Sequence, residues 1–146
     1  MYMMCVSLNY HQVPAELREQ FTFSKEVLSK ANQELNQEKS ILENVILATC
    51  NRTEIYAVVD QIHTGRYYIK RFIARWFHVT VEMLNEYAVV NVQDTTVKQL
   101  LRVSAGLDSL IKGEPQILGQ VKTAFATAQQ QGTTGVMLNQ LFRQAI

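Results

Sequence analysis

The feature that most constrains the fold is a pair of apolar segments separated by only three residues. Residues 44–49 form one segment and residues 53–59 the other, with Cys50, Asn51 and Arg52 between them. Two strand-like segments with so short a connection predict a β-hairpin, or two strands that meet at a tight corner. Cys50 is then expected where the first strand ends.

The elements around this hairpin predict a sheet with helices. Residues 3–10 are typical of a strand, and residues 24–39 and 65–77 carry apolar side chains at helical spacing. With a fourth strand at residues 86–92, the order is β-α-β-β-α-β. This order predicts an α+β fold, a ferredoxin-like antiparallel sheet with two helices on one face.

From residue 94 onward the chain is predicted to be helical. Glycine ends two of the expected helices, and the three helical segments are residues 95–105, 115–131 and 136–146. We therefore predict two subdomains. Residues 1–93 form the ferredoxin-like part that carries Cys50, and residues 94–146 form a helical part.

Composition excludes several classes of protein. A chain of 146 residues with 47% hydrophobic content can bury one core, and it contains no apolar run long enough to span a membrane and no signal peptide. The default location is the cytoplasm, with no membrane partner. The two cysteines indicate neither a disulfide framework nor a metal-binding pair, so we predict no metal.

A net charge of +1 provides no general attraction to nucleic acid. One local patch on the second predicted helix could contact RNA. Solvated charge on an outer helix face is the commoner case and the favoured interpretation. The patch consists of Arg66, Lys70, Arg71 and Arg75.

The two cysteines differ in their sequence surroundings. Cys5 lies in the middle of an apolar strand and is predicted to be a small buried hydrophobic residue. Cys50 lies where a strand gives way to polar residues, and strand ends often present catalytic side chains. In an extended chain Arg52 points the same way as Cys50 and favours its thiolate. A structural Cys50 in a turn is equally consistent with these residues.

A second polar cluster surrounds the start of the helix at residues 115–131. Pro115 at the first turn leaves free N–H groups that suit an anion, and Gln116 and Gln120 lie on one helix face. Gly119 predicts a neighbour that packs closely against this helix. Ser109, in the preceding loop, can add a hydrogen bond. An ordinary capped helix with a glycine at a crowded crossing is the alternative.

Three longer motifs make the chain similar to a known family. The chain resembles glutamyl-tRNA reductase along essentially its whole length, because three motifs occur in the family's order and the opening residues also fit the family's start. The motifs are Leu47-Ala48-Thr49-Cys50-Asn51-Arg52-Thr53-Glu54-Ile55-Tyr56, Ala105-Gly106-Leu107-Asp108-Ser109, and Gly113-Glu114-Pro115-Gln116-Ile117-Leu118-Gly119-Gln120-Val121-Lys122.

The resemblance implies an activity and a site. The family reduces glutamyl-tRNA(Glu) with NADPH to glutamate-1-semialdehyde, the first step of five-carbon tetrapyrrole biosynthesis. By resemblance, Cys50 is the nucleophile that forms a glutamyl thioester. Arg52 would bind the glutamate carboxylate bidentately, and we infer that Glu114 could meet the ammonium group. The residues that match the family's glutamate pocket are Thr49, Asn51, Arg52, Ser109, Glu114, Pro115, Gln116 and Gln120.

The resemblance also implies parts that residues 1–146 do not contain. No G-x-G-x-x-G turn follows a strand, so we predict no cofactor-binding residues in this chain. The family's NADPH-binding Rossmann domain and its dimerisation domain would follow residue 146. We expect an N-terminal fragment that forms the thioester without reducing it. The implied partners are glutamyl-tRNA(Glu), glutamate-1-semialdehyde aminotransferase and, in the complete protein, a second subunit.

One position departs from the family pattern. Many members have a histidine where this chain has Gln99, and glutamine cannot titrate, so a general-base role at this position is in doubt.

Two rival functions belong to other classes. A non-enzymatic ferredoxin-like RNA-binding module would need exposed aromatic side chains on a basic sheet face, and a thiol hydrolase would need a histidine beside Cys50.

Overall fold

A computed structural model describes residues 1–108 and 116–146. It confirms an α+β fold that alternates strands and helices before ending in helices. The strands are β1 (Tyr2–Asn9), β2 (Ile41–Ala48), β3 (Arg52–Val59) and β4 (Val89–Val92); the helices are α1 (Ala15–Arg18), α2 (Lys25–Asn36), α3 (Ile62–Phe77), α4 (Val81–Tyr87), α5 (Asp94–Ser104), α6 (Gln116–Gln130) and α7 (Val136–Ala145), with a 3-10 turn at Glu19–Phe21.

The described strands form one antiparallel sheet in the order β2-β3-β1-β4. The predicted hairpin is confirmed as β2 and β3, and the Thr49 amide closes its connection by donating to the Arg52 carbonyl at 2.8 Å. The central strands β1 and β3 pair along their full length, so that Ser7 lies opposite Glu54 and Asn9 opposite Arg52. This register brings polar residues of both strands to the end of the sheet nearest Cys50.

Helices α2 and α3 cover the first face of the sheet. Alternate strand residues, including Met4 and Val6 of β1 and Ile55 of β3, pack there against Leu35 of α2 and Phe72 of α3. All five side chains are almost completely buried. Burial of each such side chain contributes roughly 1.5–3 kcal/mol, so this face supplies much of the stability.

Helices α5, α6 and α7 cover the second face. The other set of alternating residues, including Cys5, Tyr56 and Val58, packs against these helices. Between α6 and α7, the rings of Phe125 and Phe142 stack with their centroids 5.2 Å apart. The sheet is therefore a middle layer between two helical layers. Every residue of β3 is buried, as expected for a strand covered on both faces.

The predicted fourth strand is shorter than residues 86–92. The Thr80 hydroxyl accepts a hydrogen bond from the Met83 amide at 3.1 Å and caps α4, which continues to Tyr87 and buries Leu84. The capped helix therefore includes the first residues of the predicted strand. Only Val89–Val92 remain to pair with β1, along its outer edge.

Glu43 connects the edge strand β2 to α7. A register irregularity in β2 lies at Glu43, and its carboxylate accepts hydrogen bonds from the amides of Gly135 at 2.7 Å and Leu138 at 2.9 Å. A negative charge at these amides stabilises the start of a helix. Beside it, the Asn44 amide donates to the Thr133 carbonyl at 2.8 Å. These contacts hold the α6–α7 connection against the strand that leads to Cys50.

Candidate active site

Cys50 lies at the tip of the β2–β3 hairpin with an exposed side chain. Thr49 before it is buried, and its hydroxyl oxygen accepts a hydrogen bond from the Asn51 amide at 3.2 Å. Two hydrogen bonds therefore span the tip, one from the Asn51 amide to the Thr49 hydroxyl and one from the Thr49 amide to the Arg52 carbonyl. A rigid hairpin therefore presents the thiol to solvent.

A small pocket of about 50 Å³ joins this hairpin tip to the start of α6. The structure therefore brings together two segments that lie more than sixty residues apart in the sequence. The lining residues are Thr49, Cys50, Asn51, Arg52, Gln116, Ile117 and Gln120. The predicted site residues Ser109, Glu114 and Pro115 lie outside the described residues, as does the predicted anion site at the Pro115 turn.

Arg52 is buried beside two carboxylates. Its side chain is 2% exposed, and Nη1 donates to Glu54 Oε2 at 3.3 Å and to Asp108 Oδ2 at 3.0 Å. Nη2 donates to the Asp108 main-chain carbonyl. Burial alone would lower the pKa of the guanidinium, but the charges of Glu54 and Asp108 outweigh burial and raise it. Arg52 is therefore a permanent cation that already has anionic partners.

Glu54 is the centre of a buried hydrogen-bond network. Its Oε2 accepts from the Ser7 hydroxyl at 2.7 Å and from Gln99 Nε2 at 2.7 Å, and its Oε1 accepts from the Tyr56 hydroxyl at 2.8 Å. Glu54 is completely buried. A carboxylate tolerates such burial only when its oxygens are well satisfied. We did not predict this network, although a glutamate inside a strand-like segment was a usable signal.

Gln99 belongs to this network. It extends from α5 and contacts Glu54, which in turn contacts Arg52. Since an amide donates a hydrogen bond but does not carry a titrating charge, Gln99 acts here as a donor to a buried carboxylate. Among the described residues, Gln99 is not one of those that line the Cys50 pocket.

Cys5 has the opposite environment from Cys50. The prediction that it is buried is confirmed, since it has no exposed surface. Burial, followed by the nearby Glu54 carboxylate, raises the pKa of the Cys5 thiol well above its ordinary value. Cys5 therefore stays protonated at neutral pH and cannot serve as the nucleophile.

A larger groove of about 380 Å³ continues from the Cys50 pocket along α6. Gln116 and Gln120 line both spaces, and Lys25 and Ala48 also line the groove. The prediction that a neighbour packs closely against Gly119 is wrong for the described residues, because none of their atoms lies within 4 Å of a Cβ built there. Gly119 instead leaves open space in the groove wall.

The basic patch on α3 is largely solvated. The Arg75 guanidinium is 3.3 Å from the Glu38 carboxylate, and Lys70 donates to Asn85 at 2.7 Å. The Arg71 guanidinium lies 5.6 Å from the centroid of the Tyr68 ring. Partial burial and then the neighbouring Arg66 charge lower the pKa of Lys70. These contacts are typical of a helix surface, and contact with RNA stays a prediction.

In the part of the chain that the structure describes, no group of three or more His, Cys, Asp or Glu residues is arranged to hold a metal ion. Within the same residues, none of the helices has the length and apolar character needed to cross a membrane. His11 approaches the site through Asp108, since its Nε2 lies 3.2 Å from Asp108 Oδ1.

An exposed thiol and a buried guanidinium thus line one pocket on a sheet enclosed by helices, as in an α+β domain that carries a candidate nucleophile and a candidate anion-binding residue. Known proteins are similar to the chain in sequence and fold. Residues 6–146 match the family model described as "Glutamyl-tRNAGlu reductase, N-terminal domain". The chain therefore belongs to the glutamyl-tRNA reductase family and corresponds to its N-terminal domain, which confirms the resemblance found in the motifs.

Individual relatives agree. The chain is 63% identical over 146 residues to the glutamyl-tRNA reductase of Limosilactobacillus reuteri (strain DSM 20016), covering all of this chain and 35% of that protein. It is 54% identical to that of Oceanobacillus iheyensis, covering 32% of that protein. The solved structure of "Glutamyl-tRNA Reductase from Methanopyrus kandleri" matches 98% of this chain and 32% of that one, with a TM-score of 0.78 and 26% identity. The chain spans about a third of the length of these relatives.

Proposed function

We propose that this chain carries the acyl-transfer step of a glutamyl-tRNA reductase. In this step Cys50 Sγ attacks the ester carbonyl that joins glutamate to tRNA. A carbon–sulfur bond forms, the ester carbon–oxygen bond breaks, and the released ribose oxygen takes up a proton. The observation that carries the proposal is the exposed Cys50 in one pocket with the buried cation Arg52 and the polar face of α6.

The pocket residues have different proposed roles. Arg52 binds the substrate carboxylate, because a guanidinium pairs with two carboxylate oxygens but poorly with the amide of glutamine. Gln116 and Gln120, on one face of α6, hydrogen-bond the rest of the glutamyl group, and Thr49 and Asn51 shape the segment around the thiol. We propose that Ser109, Glu114 and Pro115 complete the pocket, on the support of their match to the family motif.

The complete reaction needs a hydride donor, which in this family is NADPH. NADPH reduces a thioester to an aldehyde. The described sheet is antiparallel throughout and offers no parallel β-α-β unit of the kind that binds dinucleotides, so we assign no step with NADPH to these residues. We propose that an NADPH-binding domain, and a domain for dimerisation, belong to the complete protein outside residues 1–146.

The wider role follows from the family. The proposed product is glutamate-1-semialdehyde, made in the first step of tetrapyrrole biosynthesis, and the proposed partners are glutamyl-tRNA(Glu), the aminotransferase that takes the semialdehyde, and a second subunit. We propose a cytoplasmic location, which the two free cysteines support.

We also propose a finer description of the fold. The strand order β2-β3-β1-β4, with α2 and α3 on one face, supports a ferredoxin-like classification. On this description residues 1–93 carry the nucleophile, and residues 94–146 form a helical subdomain that completes the glutamate pocket.

Intact-mass spectrometry tests the acyl transfer. The chain is mixed with glutamyl-tRNA and quenched in acid beside Cys50→Ser and Cys5→Ala. We expect a glutamyl adduct, removable with hydroxylamine, on the wild type and on Cys5→Ala, and none on Cys50→Ser. An adduct that persists in Cys50→Ser would disprove the role of Cys50.

The basic patch on α3 keeps an RNA-binding module as the second candidate. Three of its side chains, Arg66, Lys70 and Arg71, form no ion pair with another described residue. If the chain bound tRNA through this patch without any thiol chemistry, binding and cellular activity would survive Cys50→Ala. The same mass experiment would then show no adduct on the wild type.

A further inference from the structure

The partner of Arg52 that matters most for substrate binding is Asp108. Two of its oxygens contact the two terminal nitrogens of the guanidinium: Oδ2 accepts from Nη1 at 3.0 Å, and the main-chain carbonyl accepts from Nη2. A bidentate carboxylate binds the end of an arginine side chain through the same two nitrogens. Asp108 therefore occupies the position that a substrate carboxylate would take.

The negative charges around Arg52 already outnumber its positive charge, so an additional anion beside them would be repelled. Arg52 contributes one positive charge, whereas Glu54 and Asp108 contribute two negative charges, and the Arg52 and Glu54 side chains are 2% and 0% exposed. A substrate carboxylate would be a third anion beside one cation, in a setting where water screens little. One of the two protein carboxylates must leave Arg52 for the substrate to bind.

Glu54 and Asp108 differ sharply in how firmly they are held. Glu54 is fixed by hydrogen bonds from Ser7, Gln99 and Tyr56 in addition to Arg52. Asp108 is 17% exposed, and its carboxylate contacts only Arg52 and the half-exposed His11 among the described residues. Displacing Glu54 would break a buried network, whereas Asp108 can turn toward solvent and His11. Asp108 is therefore the carboxylate that leaves.

We propose that Asp108 is an affinity-setting residue of the substrate site: it occupies Arg52 in the ligand-free chain and is exchanged for the carboxylate of the incoming glutamyl group. This inference rests on the proposed role of Arg52 in binding that carboxylate. Glu54 stays in place during the exchange and holds the guanidinium in position. Substrate binding then exchanges one ion pair for another, so the net charge around Arg52 is the same in both states.

The exchange lowers the apparent affinity by a predictable factor. The competent form of the site is the one in which Arg52 has released Asp108, and the apparent Kd rises as that form becomes rarer. If Asp108 occupies Arg52 in about nine molecules of ten, the apparent Kd is about tenfold weaker than the intrinsic one. Removing the charge of Asp108 should recover this factor.

Calorimetric titration of the complete natural protein that contains this chain tests the exchange. The ligand is an adenosine that carries glutamate through an amide in place of the ester, so that Cys50 cannot cleave it. We expect Asp108→Asn to lower its Kd by about fivefold to tenfold. Asp94→Asn, which removes an exposed negative charge from the start of α5, should leave Kd within about twofold because that charge is screened.

A second variant and a second ligand make the outcomes decisive. Asp108→Ser should also lower the Kd of the glutamate analogue. Agreement between the two variants would show that the effect comes from removing the Asp108 carboxylate and not from a folding defect of the asparagine variant. The glutamine analogue should bind more weakly than the glutamate analogue to every variant.

Two results would overturn the proposal. Unchanged or weaker binding in both Asp108 variants, with normal binding by the wild type, would mean that Asp108 holds Arg52 in place, and the proposed function would stand. If the wild type bound the glutamate and glutamine analogues equally, or neither, the role of Arg52 would fail, and the exchange with it.

Discussion

The two faces of the sheet are built from the same strands but serve different purposes. Alternate residues of β1 and β3 that point toward α2 and α3 are apolar from Met4 to Leu8 and from Ile55 to Val59, and Thr53 is the polar exception next to the hairpin tip. The residues between them point toward α5, α6 and α7. They are apolar at one end, at Cys5 and Tyr56, and become polar toward the hairpin tip.

This difference shows where the fold can accommodate chemistry. The first face contributes stability chiefly through burial of apolar side chains, and its few buried polar side chains, such as Asn32 and Asn44, hydrogen-bond each other. At the polar end of the second face, each buried polar group needs a partner, and Ser7, Glu54 and Gln99 satisfy one another. The polar end therefore holds a charged Arg52 next to an exposed thiol, while the rest of the sheet keeps the domain folded.

The largest effect is expected from removing a large side chain on the apolar face. Phe72→Ala in α3 should lower the free energy of unfolding by about 4 kcal/mol, because Phe72 is completely buried and its neighbours can only partly fill the cavity. Urea denaturation measures the loss, with exposed Tyr67→Ala in the same helix as the control. A loss below about 1 kcal/mol would mean that the first face is loosely packed.

Removing the charge of Glu54, at the polar end of the second face, should reduce stability slightly less than Phe72→Ala does. Glu54→Gln should lower the free energy of unfolding by about 3 kcal/mol, because a buried amide with one oxygen cannot accept all the hydrogen bonds that Ser7, Gln99 and Tyr56 donate to the carboxylate. Glu82→Gln, on the exposed surface of α4, is the matched control. If denaturation showed no loss, the network would not be a structural element of the second face.

One glycine on each face tests how much space is available there for an added methyl group. On the first face, a Cβ at Gly65 of α3 would lie 2.5 Å from a methyl carbon of Val59, which is too close for real atoms. Gly65→Ala should therefore lower the free energy of unfolding by about 2 kcal/mol through overpacking. The Cβ of Val59 would itself lie 2.6 Å from the added carbon, so rotation of the Val59 side chain cannot relieve the clash. Urea denaturation measures the loss, and an unchanged free energy of unfolding in Gly65→Ala would contradict the contact.

On the second face, Gly119 of α6 should behave in the opposite way. Because no described atom lies within 4 Å of an added Cβ, Gly119→Ala should raise the free energy of unfolding by about 1 kcal/mol through its higher helix propensity. Thermal unfolding measures this small gain, and Ala126→Gly on the exposed side of α6 should lose about the same amount. A destabilised Gly119→Ala would mean that the groove wall is crowded.

Predictions from local patterns were the most successful. The hairpin at Cys50, the apolar stripes of α2 and α3, the burial of Cys5 and the exposure of Cys50 follow from alternation and spacing over a few residues. The boundary of β4 was wrong because the helix capped by Thr80 continues through the first residues of the predicted strand. The crowding predicted at Gly119 was wrong because a glycine alone does not reveal what lies opposite it.

The sequence by itself determined most of the strand and helix segments, which cysteine is presented at a strand end, and the family to which the chain belongs, since all three depend on residues close together in the chain. Only the tertiary structure decided that helices cover both faces of the sheet and that Arg52 meets both Glu54 and Asp108. The physical reason is that the charge balance of a buried site depends on side chains from distant segments, here β1, β3, α5 and the turn after it. No local pattern records which of them will meet.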